Sequence, residues 1–456
     1  MMRFFETLKN IWSIEELRKR ILFTLLLIAI YRLGSYIVLP GADVDALTAS
    51  LASQGGGNDL LGLINLFTGG AFNNASIMAL GIMPYITASI IVQLLGFAVP
   101  YFQRLQSKEG ESGRKKLSQI TRALTVAITL VQGAGYLTYI KSNGGMSSQV
   151  DESIFWLSGI IILSTGTIFA MWLGERITDR GIGNGVSLLI TVGIIVGLPT
   201  AFGFELVDKS DRLLLFALEM FGFFFVTMLT VAIVTGVRKI PLQFAKRMVG
   251  RGQGAAPSRT ERDYIPLKVN ASGVMPIIFA QALMLLPVSL AGFGGGPEAQ
   301  SSWLVQQFND FTSPLYNIVY FVLVVVFTYV YTALVVNPGQ YTEYLRRQNA
   351  FIPGVRGGAE TEEYIDAITS RITLPGSIIL GLIAILPALV AGLGVNQQFA
   401  IFFGGTSLII MVGVVLDTLQ QIESYLLMRK YDGLVKEGRL EGRNGGSRMQ
   451  SLGADF

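Results

Sequence analysis

The 456 residues would fill two or three water-soluble domains, yet 51% are hydrophobic and only 14% are charged, far more apolar surface than soluble cores can cover. A net charge of +4 goes with the absence of every cysteine and histidine, which excludes disulfides, Cys or His metal sites, and catalysis by a thiol or imidazole. No GxxxxGK[ST] pattern is present, so the chain carries no phosphate loop for nucleotide hydrolysis.

In chain order, long apolar runs alternate with polar links, the pattern of an all-α polytopic membrane protein. A basic N-terminal segment, 1–20, leads into a first predicted span at 21–39. Next comes LLGLINLFTGGAFNNA, 60–75. Its apolar part, 60–72, would rise only about 20 Å as a helix, against a hydrocarbon core of about 30 Å. It is a half-helix, and Gly62, Gly69 and Gly70 give it close packing and hinge freedom. A second span is predicted at 75–99. Others follow at 117–140, 154–174, 183–203, 213–236, 269–291, 314–336, 372–392 and 400–427. Gly81, Pro84, Pro276, Pro287 and Pro387 fall inside them; in a membrane, neighbouring helices re-satisfy the backbone groups that such residues free. These ten spans divide into an N-terminal half, 21–203, and a C-terminal half, 213–427, joined by an external loop, 204–212. Such a split is compatible with inverted repeats. A tail, 428–456, rich in Gly and charge, follows.

The basic residues set the orientation. With the N-terminus in the cytoplasm, 31 of the 35 Lys and Arg residues fall in inside segments or, for Arg122, near the inside end of a span; Lys141, Lys209 and Arg212 lie outside and Arg32 within the first span. That bias is the positive-inside rule, and it predicts both termini in the cytoplasm. Arg32 would cost roughly 2.5–3.5 kcal/mol facing lipid at mid-depth, so it is expected to point inward or snorkel towards a structural partner. Glu219 and Asp417 are read the same way. GIGNG, 181–185, has no strand before it and reads as a tight turn rather than a phosphate cradle. Two inside loops, 237–268 and 337–371, are longer than topology requires, and long loops usually bind something.

Seven stretches carry a resemblance: RLGSYIVLPG (32–41), FTGGAFNNASIMALGIMPYITASIIVQLL (67–95), KEGESGRKK (108–116), MWLGERITDRGIGNGVS (171–187), PLKVNASGVMPIIFA (266–280), AFIPGVRGG (350–358) and FFGGTSLIIMVGVVLD (402–417). In register over nearly the whole chain, they resemble the SecY family of protein-translocation channels. The resemblance implies a ten-helix clamshell of two pseudo-symmetric five-helix halves around a central pore in the bacterial cytoplasmic membrane, with no cofactor and no enzymatic activity. Unfolded secretory polypeptides would cross it, and membrane segments would leave sideways into lipid.

By the same resemblance, the half-helix is a plug, 58–74, with Leu63, Asn65, Phe67, Thr68, Gly69 and Gly70 at its centre. The pore ring would be Ile82, Ile86, Val186, Ile190, Ile278 and Ile410; such flexible apolar side chains can pass any polypeptide while resisting wetting by ions. The pairs Ile82/Ile86 and Val186/Ile190 are each four apart, on one helical face. Val186 is smaller than the usual Ile. A lateral gate between spans two and three and spans seven and eight would use Thr87, Gln93, Gln132 and Asn270. Arg238, Lys239, Lys246, Arg247, Arg251 and Arg356 would dock the ribosome, a polyanion, and the motor ATPase SecA. Gly357 stands where a second Pro is typical. SecE and SecG subunits, signal sequences and membrane lipid complete the implied partners. The alternative is a secondary transporter of small solutes, which would place charges or a coherent polar site at mid-membrane; these spans offer mainly apolar residues and scattered amides.

Overall fold

The computed structural model describes residues 12–53, 60–107, 110–147, 149–244, 264–294 and 303–436. It is almost entirely helical. Helix α1 (Glu15–Gly34) is followed by α2 (Val44–Ser53), the half-helix α3 (Leu60–Thr68), α4 (Met83–Ala98) and α5 (Pro100–Ser107). Long helices α6 (Gly110–Ser142), α7 (Glu152–Arg180), α8 (Gly185–Asp208) and α9 (Leu213–Thr235) come next. After a β-ribbon come α10 (Met275–Gly294), α11 (Trp303–Asn309), α12 (Pro314–Val335), α13 (Pro338–Arg347), α14 (Ala359–Gly392), the single turn α15 (Gln397–Ala400) and α16 (Gly405–Lys436).

Local chemistry sets several of these ends. Asn184 caps α8 by accepting from the Ser187 N–H at 3.3 Å, as an N-cap asparagine should. Asn337 does the same for α13, ahead of Pro338 in the first turn. Threonines inside the spans satisfy themselves: Thr121, Thr125 and Thr129 of α6 each donate to the carbonyl four residues back. A hydroxyl can then be buried in a dry interior without an outside partner.

Among the described residues, seven helices are long and apolar enough to cross a membrane, as a multi-pass membrane protein requires. The three other predicted spans differ from expectation. The first, expected at 21–39, is α1, which ends at Gly34, its apolar stretch bounded by Arg18, Lys19 and Arg20 on one side and Arg32 on the other. The second span is helical only from Met83, which leaves 16 residues, about 24 Å. Residues 69–82 form turns instead. Gly69, Gly70, Ala75 and Gly81 have positive φ, and the freed backbone bonds to the end of the first span: Leu39 N–H donates to Ala75 O at 2.7 Å, and Ile77 N–H to Ile37 O at 2.9 Å. Pro84 therefore opens α4 rather than kinking it, a position where its missing N–H costs nothing. The seventh span likewise starts at Met275, after turns at 269–274.

The two long segments 237–268 and 337–371, expected as separate loops, come together in one structure. Strand β1 (Val237–Pro241) pairs antiparallel with β3 (Tyr264–Lys268), in register Val237 to Lys268. Strand β2 (Gln243–Phe244) pairs with β4 (Ala350–Phe351). Ile240, Ile265, Leu267, Leu345, Ile352 and Ile365 close a small apolar core beneath them. The outer face of α9 exposes Leu214, Leu218, Phe221 and Phe225, a stripe of large apolar side chains at helical spacing that suits lipid rather than water.

Candidate pore, plug and gate

Four helix segments meet at an apolar waist. Ile82 caps α4 and Ile86 stacks on it, the Ile86 N–H donating to Ile82 O at 3.1 Å. Val186 and Ile190 start α8, Ile278 lies on α10, and Ile410 on α16. All belong to one contiguous apolar cluster, with Val186 half-buried at its edge and the others buried. Bare backbone draws these segments together. A Cβ on Gly174 would come within 3.2 Å of Val186 and 3.3 Å of Ile82, and one on Gly185 would lie 2.0 Å from Gly174 O. Helices α7 and α8 thus touch backbone to backbone, which sets Val186 beside Ile82.

The half-helix α3 joins the same cluster through Phe67, with Leu66 packed against it. It rests on α8 one to two turns beyond Ile190: a Cβ on Gly193 would sit 2.4 Å from Phe67 O, and one on Gly197 3.0 Å from Leu66. Leu63 belongs to the helix. Thr68 is buried, donating to Ile64 O at 3.1 Å and accepting from the Phe72 N–H at 3.3 Å. The Asn65 side chain accepts from the Asn73 N–H at 3.0 Å. Gly69 and Gly70 turn the chain out of the helix, Gly70 N–H donating to Asn65 O at 2.9 Å and Gly69 N–H to Leu66 O at 3.1 Å. This is the left-handed glycine ending of a helix.

The four gate candidates fall in different places. Gln93 of α4 accepts from the Tyr331 hydroxyl of α12, a bond that crosses from one half to the other, and its amide donates to Ser89 Oγ at 3.0 Å. Thr87 bonds only within its own helix, to Met83 O at 3.1 Å. Gln132 is half-buried on α6. Asn270 lies before α10, at the joint with the β-ribbon, where its side-chain oxygen accepts from Ser272 Oγ at 3.1 Å. Sequence reasoning missed Tyr331 and Phe279, whose rings pack at 4.6 Å. The signal was present: Tyr316, Tyr320, Val324, Phe327 and Tyr331 recur every three or four residues along one buried face of α12.

A second contact between the N-terminal and C-terminal parts of the chain lies around residues 204–212. Glu205, fully buried on α8, pairs with Lys209 at 2.7 Å, and Lys209 also reaches Glu219 of α9. The Asn396 N–H, ahead of α15, donates to Glu205 at 3.1 Å. Burial alone would lower the Lys209 pKa, but the two carboxylates outweigh it and hold the ammonium above its ordinary value. The structural partner expected for Glu219 is therefore Lys209, and Glu205 is the member the sequence did not reveal. At the opposite end of α8, the GIGNG turn donates from the Gly183 N–H to Gln421 of α16 at 2.8 Å, and the Arg20 guanidinium lies 5.1 Å from the Tyr425 ring centre.

On the loops, Arg238 lies in β1, and Lys239 sits 4.6 Å from the Tyr264 ring centre. Arg356 extends from the turn 352–358 with its side chain 89% exposed, 3.9 Å from Glu360. Thr361 donates to Arg356 O at 2.8 Å, which steadies the tip despite Gly357. Lys246, Arg247 and Arg251 lie outside the described residues.

A family model described as SecY matches residues 76–419. The protein translocase subunit SecY of Streptomyces galbus is 42% identical over 434 residues, covering 92% of this chain and 97% of its own. The fold is similar to that of a SecY channel whose plug domain stabilises the closed state and maintains a membrane seal, with TM-score 0.62, 18% identity and coverage of 93% and 94%. It is also similar to the channel of a canine ribosome–channel complex from the endoplasmic reticulum, with TM-score 0.59, 17% identity and the same coverages.

Proposed function

The chain belongs to the SecY family, and from that premise we propose how its geometry serves a protein-conducting channel. It is the channel of a Sec translocon, passing unfolded secretory polypeptides across the membrane. The observation that carries the account is the one contiguous apolar cluster that holds five ring residues, with Val186 packed against it, together with Phe67 of α3. The ring is the waist of the pore, and α3 is the plug that closes it at rest. A waist of aliphatic side chains makes no demand on the chemistry of the passing chain and holds water and ions poorly. With the plug seated, Phe67 fills what the ring leaves open.

The ten predicted spans form two halves that part along α4 and α6 on one side and α10 and α12 on the other. The bond from Tyr331 to Gln93 crosses that line. Interhelical hydrogen bonds in membranes contribute on the order of 0.6 kcal/mol, weak enough for a signal sequence to displace, after which membrane segments leave into lipid. The basic-residue bias supports a cytoplasmic position for both termini, and the bacterial relatives support the cytoplasmic membrane of a bacterium as the location. The β-ribbon and the Arg356 tip then face the cytoplasm as a docking surface for the ribosome and SecA. SecE and SecG are the small subunits expected around the halves.

The test is reconstitution in vesicles with SecE, SecG, SecA and ATP. Protection of a precursor from external protease is expected, and Arg356→Glu should reduce SecA-driven protection while the complex still assembles. Vesicles that take up small solutes but never shelter a polypeptide would overturn the channel reading, and full protection with Arg356→Glu would overturn the docking role.

A further inference from the structure

Arg32 lies within the first span, two residues before the end of α1. Among the described residues no carboxylate pairs with it. Its Nη1 instead donates to Gly69 O at 3.0 Å, the carbonyl just past the last residue of α3. Its other contacts are with Tyr36, whose ring centre lies at 5.5 Å and hydroxyl at 3.5 Å. Three features make this a fitted contact. The turn at Gly69 and Gly70 bonds the Asn65 and Leu66 carbonyls internally, leaving Gly69 O aimed outward. The guanidinium stands at the C-terminal, negative end of α3, where a cation is favoured. No side chain fits at Gly69: with φ +63°, a Cβ there would lie 2.2 Å from Arg32 Nη1 and 2.9 Å from Gly193 Cα. The end of α3 is therefore gripped between Arg32 of α1 and bare backbone of α8.

We propose that Arg32 is a positioning residue, the latch that seats the plug, an inference that rests on reading α3 as the plug. A charged donor on a neutral carbonyl holds more firmly than an ordinary hydrogen bond, yet it leaves no orphaned counter-ion when it breaks. As the plug swings out, water replaces the carbonyl and the arginine stays solvated at the pore wall. The latch reads backbone and shape, so its demand on the plug sequence is the glycine at 69.

The chain has no cysteine, so one thiol placed at Phe67 reports plug seating through its modification by a membrane-impermeant maleimide. Resting ion conductance of reconstituted complexes that keep Phe67 is the second readout. Arg32→Met should raise both by about tenfold or more, the weight of a lost charge-assisted bond. Arg32→Lys, which keeps a charge and a donor but not the fork, should fall between. Deletion of 60–72 is the reference. If the deletion leaks while Arg32→Met and Arg32→Lys stay sealed and unmodified, the latch is refuted and the plug stands. If the deletion does not leak, the plug reading falls and the latch with it. Should Arg32→Met fail to assemble, Arg32→Lys decides, and an unchanged modification rate in it overturns the proposal.

Discussion

Two of the lines along which the N-terminal and C-terminal parts of this chain meet are built from different chemistry. Around residues 204–212, two buried carboxylates, Glu205 and Glu219, share Lys209, and the Asn396 backbone bonds to the same cluster. Across the line between α4 and α12, the halves share a neutral bond from Tyr331 to Gln93, and Phe279 packs on the tyrosine within the C-terminal half. Separating buried charges leaves each uncompensated in a dry medium, at about 3–5 kcal/mol per broken pair. Parting a neutral bond in a membrane costs on the order of 0.6 kcal/mol. Under the proposed function, that several-fold ratio would make one line the hinge and the other the gate, with opening along the weaker seam while the ionic cluster keeps the halves in register.

Three substitutions test that contrast, from the largest expected effect to the smallest. Lys209→Met strands two buried carboxylates and should destabilise the purified protein by about 3–5 kcal/mol, read as a fall in melting temperature in detergent. Glu205→Gln keeps an acceptor for the Asn396 N–H and leaves Lys209 facing Glu219 as a balanced pair. Its cost should stay near that of one hydrogen bond, about 1 kcal/mol. Tyr331→Phe removes only the gate bond, so the melting temperature should hardly move while signal-sequence crosslinking to α4 increases. Equal losses of stability in Lys209→Met and Tyr331→Phe would erase the distinction between the seams.

The helical, multi-pass character was legible because hydropathy acts locally. The short α3 could be read from its length and glycines, and Arg32 was expected to find a structural partner. Its acceptor was hidden, because a backbone carbonyl 37 residues away leaves no trace in composition. The same limit applies to 75–82, read as helix from its apolar content. There, bonds to Ile37 and Leu39 and the close approach allowed by Gly166, whose Cβ would lie 2.0 Å from Ile77 O, hold the chain in turns. Tertiary contacts outweighed local propensity. The β-ribbon escaped for a related reason: its partners lie far apart in the chain, Gln243 pairing with Phe351. Even so, the alternation at Ile265 and Leu267, buried between exposed neighbours, already had the period of a strand.

The central claim, that polypeptides pass through the waist at Ile82, Ile86, Val186, Ile190, Ile278 and Ile410, is tested most directly by crosslinking. A single cysteine at Ile82 or Ile278, in a chain that otherwise has none, is predicted to form an adduct with a precursor stalled halfway through the reconstituted translocon. It should be protected from thiol reagents dissolved in lipid. Labelling from the bilayer with no adduct to the stalled chain would contradict it.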